Sequence, residues 1–176
     1  EAFHGAVAAG LLGCGSVGLG SAEVAGRFYA ECVEATEATG ANAADIAKEK
    51  IVALRADKKA IPGFGHPQHS DGDPRANLLL RLAEEHGIVG KYIGMLYAIR
   101  DVLPDAIGRP LPINVNGAIP AVMLDVGFPL AALKGISLLA RTASIIAHLQ
   151  EETERPIGFI MSGAAASQIE FTPAAE

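Results

Sequence analysis

Apolar residues recur at helical spacing along almost the whole chain, and the pattern fails over one long stretch, residues 59–72. That stretch holds three glycines and two prolines. A chain patterned this way folds as packed helices around an irregular loop, and a loop of that length in a packed domain is usually functional or disordered. No segment shows convincing strand alternation, so the fold class expected is all-α. Hydrophobic residues make up 50% of the chain and charged residues 19%, enough for a large core and a subunit interface as well. Aromatics are only 5% and Trp is absent, which leaves Ala, Leu, Ile and Val, a mix suited to close helix packing. With 176 residues the chain is one ordinary domain or a large piece of a bigger one.

Local signals place the helices. Ser21 is expected to cap a helix carrying Val24, Phe28, Cys32 and Ala35 inward, with Gly40 ending it. Asn42 with Asp45 three residues on reads as the cap of a helix through Arg55. Asp73-Pro74 starts another, with Asp as N-cap and Pro at the first helical position; Leu78, Leu79 and Leu82 form its apolar stripe. A helix over Lys91–Leu103 turns Tyr92, Leu96, Ile99 and Leu103 inward, and Arg109-Pro110-Leu111-Pro112 breaks the pattern. Asn116 is expected to cap a helix over Gly117–Val126. Pro129 then opens a long one through Glu152, with Leu133, Ile136, Ala140, Ser144 and Leu149 near its inner side.

Several functions are argued against. A net charge of −6 does not suit nonspecific nucleic-acid binding, which needs a basic face. Residues 5–22 carry no charge, but their many glycines make a poor membrane span and no basic segment precedes them. They are expected to form a buried helix or helix pair. Cys14 and Cys32 lack metal-ligand spacing and a disulfide framework, and read as buried free thiols in a reducing, cytoplasmic compartment. No His/Cys pair has zinc spacing and no acidic loop resembles a calcium site, so no metal is expected.

Chemistry concentrates around the loop. His66 is held in Pro62-Gly63-Phe64-Gly65-His66-Pro67, where glycines admit close backbone approach and proline stiffens the turn. His69 lies in the same loop. His86 ends a helix beside Glu84 and Glu85, where a cation suits the dipole, and His148 reads as a packed or interface residue. His4 sits on the glycine-rich apolar segment and reads either as a core histidine or as a functional one. Lys48, Lys50, Arg55, Lys58 and Lys59 form a basic run before the loop, either a solvated face or a phosphate-binding one. Arg75 stands beside the loop, where a carboxylate partner suits it. Arg141 interrupts an apolar helix, where a buried-side Arg needs an anion.

Four blocks then fall in a recognisable order: Ala2-Phe3-His4-Gly5; Pro62 to Pro67 with Asp73-Pro74-Arg75; Asn114-Val115-Asn116-Gly117-Ala118-Ile119; and Ala140-Arg141 followed by His148 and Glu154-Arg155-Pro156. In these the chain resembles the citrate synthase superfamily, most closely its short members of the citryl-CoA lyase type, over essentially its whole length. The resemblance implies an all-helical homodimer, or higher homo-oligomer, with a large and a small domain and a site in the cleft. It assigns residues 1–4 to the end of a large-domain segment, 5–115 to the small domain, and 116–176 to C-terminal helices returning to the large one. It further implies that the chain is a C-terminal fragment of that fold.

By the same resemblance, His4 stabilises the enol of a CoA thioester and His66 polarises the keto carbonyl. Arg75 and Arg141 clamp carboxylates of a di- or tricarboxylate. Ile61, Pro62, Gly63, Phe64 and Gly65, with Lys58 beside them, hold coenzyme A, which enters as substrate; no tightly bound cofactor is expected. One position departs from the family. Asn116 stands where the usual residue is an Asp that moves a proton at the acetyl carbon, and an amide cannot do this at neutral pH. The activity implied is citryl-CoA lyase, giving acetyl-CoA plus oxaloacetate. The alternatives are a citrate or 2-methylcitrate synthase, or a CoA-binding paralogue or thioesterase without carbon–carbon chemistry.

Overall fold

The structure, a computed structural model, describes residues 2–173; Glu1 and the last three residues, at the ends of the domain segments expected above, lie outside the described residues. It is all-α. The helices are α1 (Phe3–Leu19), α2 (Ser21–Thr39), α3 (Ala43–Ala56), α4 (Pro74–Glu85), α5 (Lys91–Ile107), α6 (Val115–Asp125), α7 (Lys134–Glu154) and α8 (Gly158–Ala166), with a short 3₁₀ turn at Leu130–Ala132. Among the described residues the only extended pairing is an isolated antiparallel bridge between Phe64 and Ile113.

The chain divides into two compact units, Cys14–Leu138 on one hand and Glu1–Gly13 with Leu139–Glu176 on the other. Helix α6 packs on α2, α4 and α5 inside the first of these units. Its core gathers Phe28, Tyr29, Cys32, Ile51, Leu80, Ile93, Leu96, Ile99, Leu103 and Ala118 from five helices. Burying each large aliphatic side chain there contributes roughly 1.5–3 kcal/mol. Leu133, just after the 3₁₀ turn, is fully buried and packs so closely on Gly26 that any side chain at Gly26 would strike it.

The helix ends explain the boundaries. Asn42 Oδ1 accepts from Ala44 N (2.8 Å), and Gly40 closes α2 in the left-handed region at φ 68°. Asp73 caps α4 with Pro74 in its first turn, as the sequence predicts. Asp125 reaches from the end of α6 to accept from Gly90, Tyr92 and Ile93 N (3.0, 2.9 and 2.9 Å), and so serves the start of α5, which has no side-chain cap of its own.

Several expectations are corrected. Ser21 is the first residue of α2 rather than its cap; Gly20 holds the cap position, and Ser16 O accepts the Gly20 N–H at 2.8 Å. Val24 faces outward, while Tyr29 occupies the core, because the buried stripe runs through Ala22, Ala25, Phe28, Tyr29 and Cys32. On α4 the inward face is Ala76, Leu80 and Ala83, and Leu78 and Leu82 are exposed; small residues let α6 approach. Asn114, not Asn116, caps α6. A helix forms over this segment as expected, with a break in helical geometry at Gly15 (φ 55°, ψ −165°), but residues 3–16 of α1 are exposed or half-buried rather than buried. Cys32 is buried, and burial pushes its thiol up to about 11, whereas Cys14 is only half-buried.

By length and composition alone the stretch Leu130–Glu154 could cross a membrane. Its first turn is committed to protein instead: Leu133 is in the packed core and Lys134 Nζ donates to Ser16 Oγ at 2.9 Å.

Candidate functional site

The site begins where α3 ends. Lys58 takes φ 57°, a left-handed value uncommon for a residue with a side chain, and Lys59 N then donates back to Leu54 O at 2.9 Å. This six-residue closure satisfies a helix-end carbonyl and turns the chain into the loop. Phe64 lies between Gly63 (φ 85°) and Gly65 (φ 78°) and pairs with Ile113. Asn114 N donates to Gly63 O (3.0 Å), Gly65 N to Pro112 O (2.8 Å), and Asn114 Nδ2 to Gly65 O (2.7 Å). Asn114 Oδ1 meanwhile accepts from Gly117 N (3.1 Å), capping α6. One asparagine therefore starts the helix and holds the loop against it.

Glycine is required on both sides of this seam. A side chain at Gly117 would strike Gly63 O, and one at Gly63 would strike the Tyr29 hydroxyl and come within 2.8 Å of Gly117 Cα. Tyr29 is fully buried beneath the loop, and burial pushes its hydroxyl far above the usual phenol range.

His66 and Arg75 meet at the far end of the loop. His66 Nδ1 accepts from Gln68 N (3.0 Å) and His69 N (3.2 Å). An acceptor nitrogen carries no proton, so these bonds assign the tautomer with its proton on Nε2. His69 also packs its ring on His66, centroids 4.4 Å apart. Arg75 Nη2 lies 3.5 Å from His66 Nε2.

The guanidinium is held by Asp73, which is fully buried. Asp73 Oδ1 accepts from Arg75 N (3.0 Å) and Arg75 Nε (2.9 Å); Oδ2 accepts from Arg75 Nη2 (2.9 Å) and from Val115 N (2.9 Å). The Arg75 side-chain bonds, aided by the two backbone N–H groups and against the effect of burial, hold the Asp73 carboxyl well below the usual carboxylate range. Asp73 in turn raises the Arg75 pKa.

Two hollows open along the loop. One of about 350 Å³ is lined by Ser21, Val24, the 60–64 segment, Asn114 and Asn116. The other, about 360 Å³, lies against Ala60, Ile61, Phe64 and Gly65 and is edged by Arg55 and Arg109. Ile61 and Phe64 are buried and Pro62 is half-buried, so the loop offers mainly backbone to a ligand. Arg55 Nη1 donates to Lys59 O at 3.2 Å, and Lys59 Nζ pairs with Asp57 at 2.9 Å.

The structure thus brings together Lys58, Ile61 to Gly65, His66, Arg75 and Asn116 within the unit Cys14–Leu138. His4, in the first turn of α1, and Arg141, on α7, belong to the other unit. Both side chains are exposed, which corrects the expectation of a buried-side Arg141. His86 ends α4 as expected, and His148 is exposed, 3.5 Å from Glu151. Among the described residues no group of three or more metal-ligating side chains forms. Sequence reasoning missed Asp73 as an anchor, Asn114 as the clasp of the loop, and Tyr29 and Gly117 as its supports. The signal for Asp73 was present in Asp-Pro-Arg, but the cap reading had already accounted for the carboxylate.

Comparison with known proteins bears on the whole chain. The family model described as the citrate synthase C-terminal domain matches residues 5–158. Citryl-CoA lyase from Hydrogenobacter thermophilus is 30% identical over 100% of this chain and 66% of its own, with a TM-score of 0.81. The chain therefore spans a little less than two thirds of that protein. Citrate synthase from Thermotoga maritima (21% identity, 93% of this chain, 40% of its own, TM-score 0.64) shares the fold. So does ATP citrate lyase from Methanothrix soehngenii, solved with citrate and coenzyme A (20% identity, 100% and 29%, TM-score 0.72). The search of curated proteins gave no match. The four ordered sequence blocks, the all-helical fold and the family match over residues 5–158 together establish that this chain belongs to the citrate synthase family.

Proposed function

We propose that the chain is part of a citryl-CoA-cleaving enzyme, giving acetyl-CoA plus oxaloacetate. The observation that carries this reading is the donor pair His66 Nε2 and Arg75 Nη2, 3.5 Å apart at the end of a loop bonded to the start of α6. Two fixed donors at that spacing suit one developing oxyanion. The whole-chain likeness to a citryl-CoA lyase supports cleavage over condensation.

In cleavage, a water molecule takes the proton of the citryl hydroxyl, the carbon–carbon bond beside it breaks as the oxygen becomes a carbonyl, and the electrons of that bond pass to the departing enolate. His66, with its proton on Nε2, donates to that oxygen. Arg75 and Arg141 hold carboxylates, and His4 stabilises the enolate. The backbone of Ile61 to Gly65 receives coenzyme A, with Lys58, Arg55 and Arg109 serving its phosphates. Asn116 orients substrate in the hollow it lines, and the proton that completes acetyl-CoA comes from water or another acid. The protein acts as a cytoplasmic homodimer or larger homo-oligomer, for which exposed Leu139, Phe159 and Ile160 offer apolar surface.

A second reading is favoured by Asn116 alone: a protein that binds coenzyme A, or hydrolyses its thioesters, without carbon–carbon chemistry. The test uses the intact protein, with calorimetry against coenzyme A and a citryl-CoA cleavage assay. Turnover that collapses in His66→Ala while coenzyme A still binds supports cleavage. Binding without turnover in the wild type rejects it in favour of the second reading.

A further inference from the structure

We propose that Asp73 is a positioning residue that sets how Arg75 receives a substrate carboxylate, a proposal that rests on the reading of Arg75 as a carboxylate clamp. Asp73 is completely buried, yet it spends only one of its four contacts on capping α4. Two others occupy Arg75 Nε and one hydrogen of Nη2 (both 2.9 Å), an edge of the guanidinium that could otherwise fork with a substrate carboxylate. Arg75 is left with Nη1 for a carboxylate and the second Nη2 hydrogen for the oxygen beside His66 Nε2, on a side chain 55% exposed. Substrate therefore meets Arg75 end-on, beside His66 Nε2.

The fourth contact gives the arrangement its reach. Val115 N donates to Asp73 Oδ2 at 2.9 Å, and Val115 immediately precedes Asn116. A single carboxylate thus fixes Arg75 directly, with Nη2 set 3.5 Å from His66 Nε2, and the first turn of α6 through its backbone. An ion pair with one buried partner is weak evidence for stability; here the four directed bonds of Asp73 hold one geometry. Planar guanidinium is needed here, because an ammonium at position 75 could not keep both the Asp73 fork and a free face.

The experiment measures citrate and coenzyme A affinity by calorimetry in the intact protein. The variants are Asp73→Asn, Arg75→Lys, their double and Val115→Pro. Asp73→Asn turns an N–H₂ toward Arg75 or Val115; citrate affinity should fall at least about tenfold with coenzyme A affinity unchanged. Because Asp73 acts through Arg75, the double variant should bind citrate within about threefold of the weaker single one. Val115→Pro deletes only the anchoring N–H at a helix position that accepts proline, and guards against a misfolded Asp73→Asn. It should fold normally and weaken citrate by roughly threefold. Wild-type citrate affinity in folded Asp73→Asn or Val115→Pro, or a double variant losing the product of both singles, overturns the positioning role. Absence of citrate binding in the wild type overturns the underlying clamp reading instead.

Discussion

Replacing Gly117 by alanine sets two opposed effects against each other. Gly117 lies in the first turns of α6, and a helix gains roughly 0.5–1 kcal/mol when an interior glycine becomes alanine. A Cβ there, however, would strike Gly63 O and come within 2.9 Å of Gly63 Cα and 3.0 Å of Gly63 C. These are backbone atoms and cannot swing aside as a side chain can. Forcing the loop off α6 costs about 1–3 kcal/mol in displaced packing. It also strains the Asn114 N to Gly63 O bond, worth about 0.5–1.5 kcal/mol. The net expectation is a loss of roughly 2 kcal/mol, with coenzyme A affinity falling as the loop shifts. Gly94 on α5 is the control, since nothing lies within 4 Å of its added Cβ, and Gly94→Ala should stabilise by about 0.4–1 kcal/mol. Urea unfolding of both variants provides the measurement. A stabilised Gly117→Ala would refute the claim that close approach at the seam, and not helix propensity, fixes glycine there.

Three further outcomes are expected. Asp125→Ala removes an acceptor shared by three backbone N–H groups at the start of α5, and should cost about 1–3 kcal/mol in the same assay; an unchanged midpoint would contradict this. The folded-state pKa of Asp73 is depressed, so its contribution is fully present above the unfolded value of about 4 and is lost as pH falls through the folded value. The stability gap between wild type and Asp73→Asn should therefore narrow between about pH 5 and about pH 2, and a constant gap would count against the ion pair. Asn116→Asp restores an ionisable acid and should raise citryl-CoA turnover about 100-fold, within the usual range for a positioned acid or base; equal rates would remove Asn116 from the chemistry.

Much of this was legible in the sequence where the cause is local. Asp73-Pro74, Asn42 and Gly40 mark helix ends because capping depends on neighbours a few residues away. Long-range choices were not. Asn114 and Asn116 are equally good caps by pattern, and only the carbonyl of Gly65, 49 residues distant, decides for Asn114. Leucine spacing suggested Leu78 and Leu82 for the inner face of α4, whereas the face toward α6 is built from Ala76, Leu80 and Ala83. The loop, His66 and Arg75 were found from residue type, and Asp73 as their anchor depends on a bond to Val115, 42 residues away.

The central claim is that the 61–66 loop, its seam with α6 and the Asp73–Arg75 pair together present His66 to a substrate oxygen. A crystal structure of the intact protein with coenzyme A and citrate bound tests it most directly. The account predicts a citrate carboxylate on the Nη1 side of Arg75, the citrate hydroxyl about 2.7–3.2 Å from His66 Nε2, and coenzyme A along the backbone of Ile61 to Gly65. Citrate bound away from both His66 and Arg75, with the Asp73–Arg75 pair intact, would contradict it.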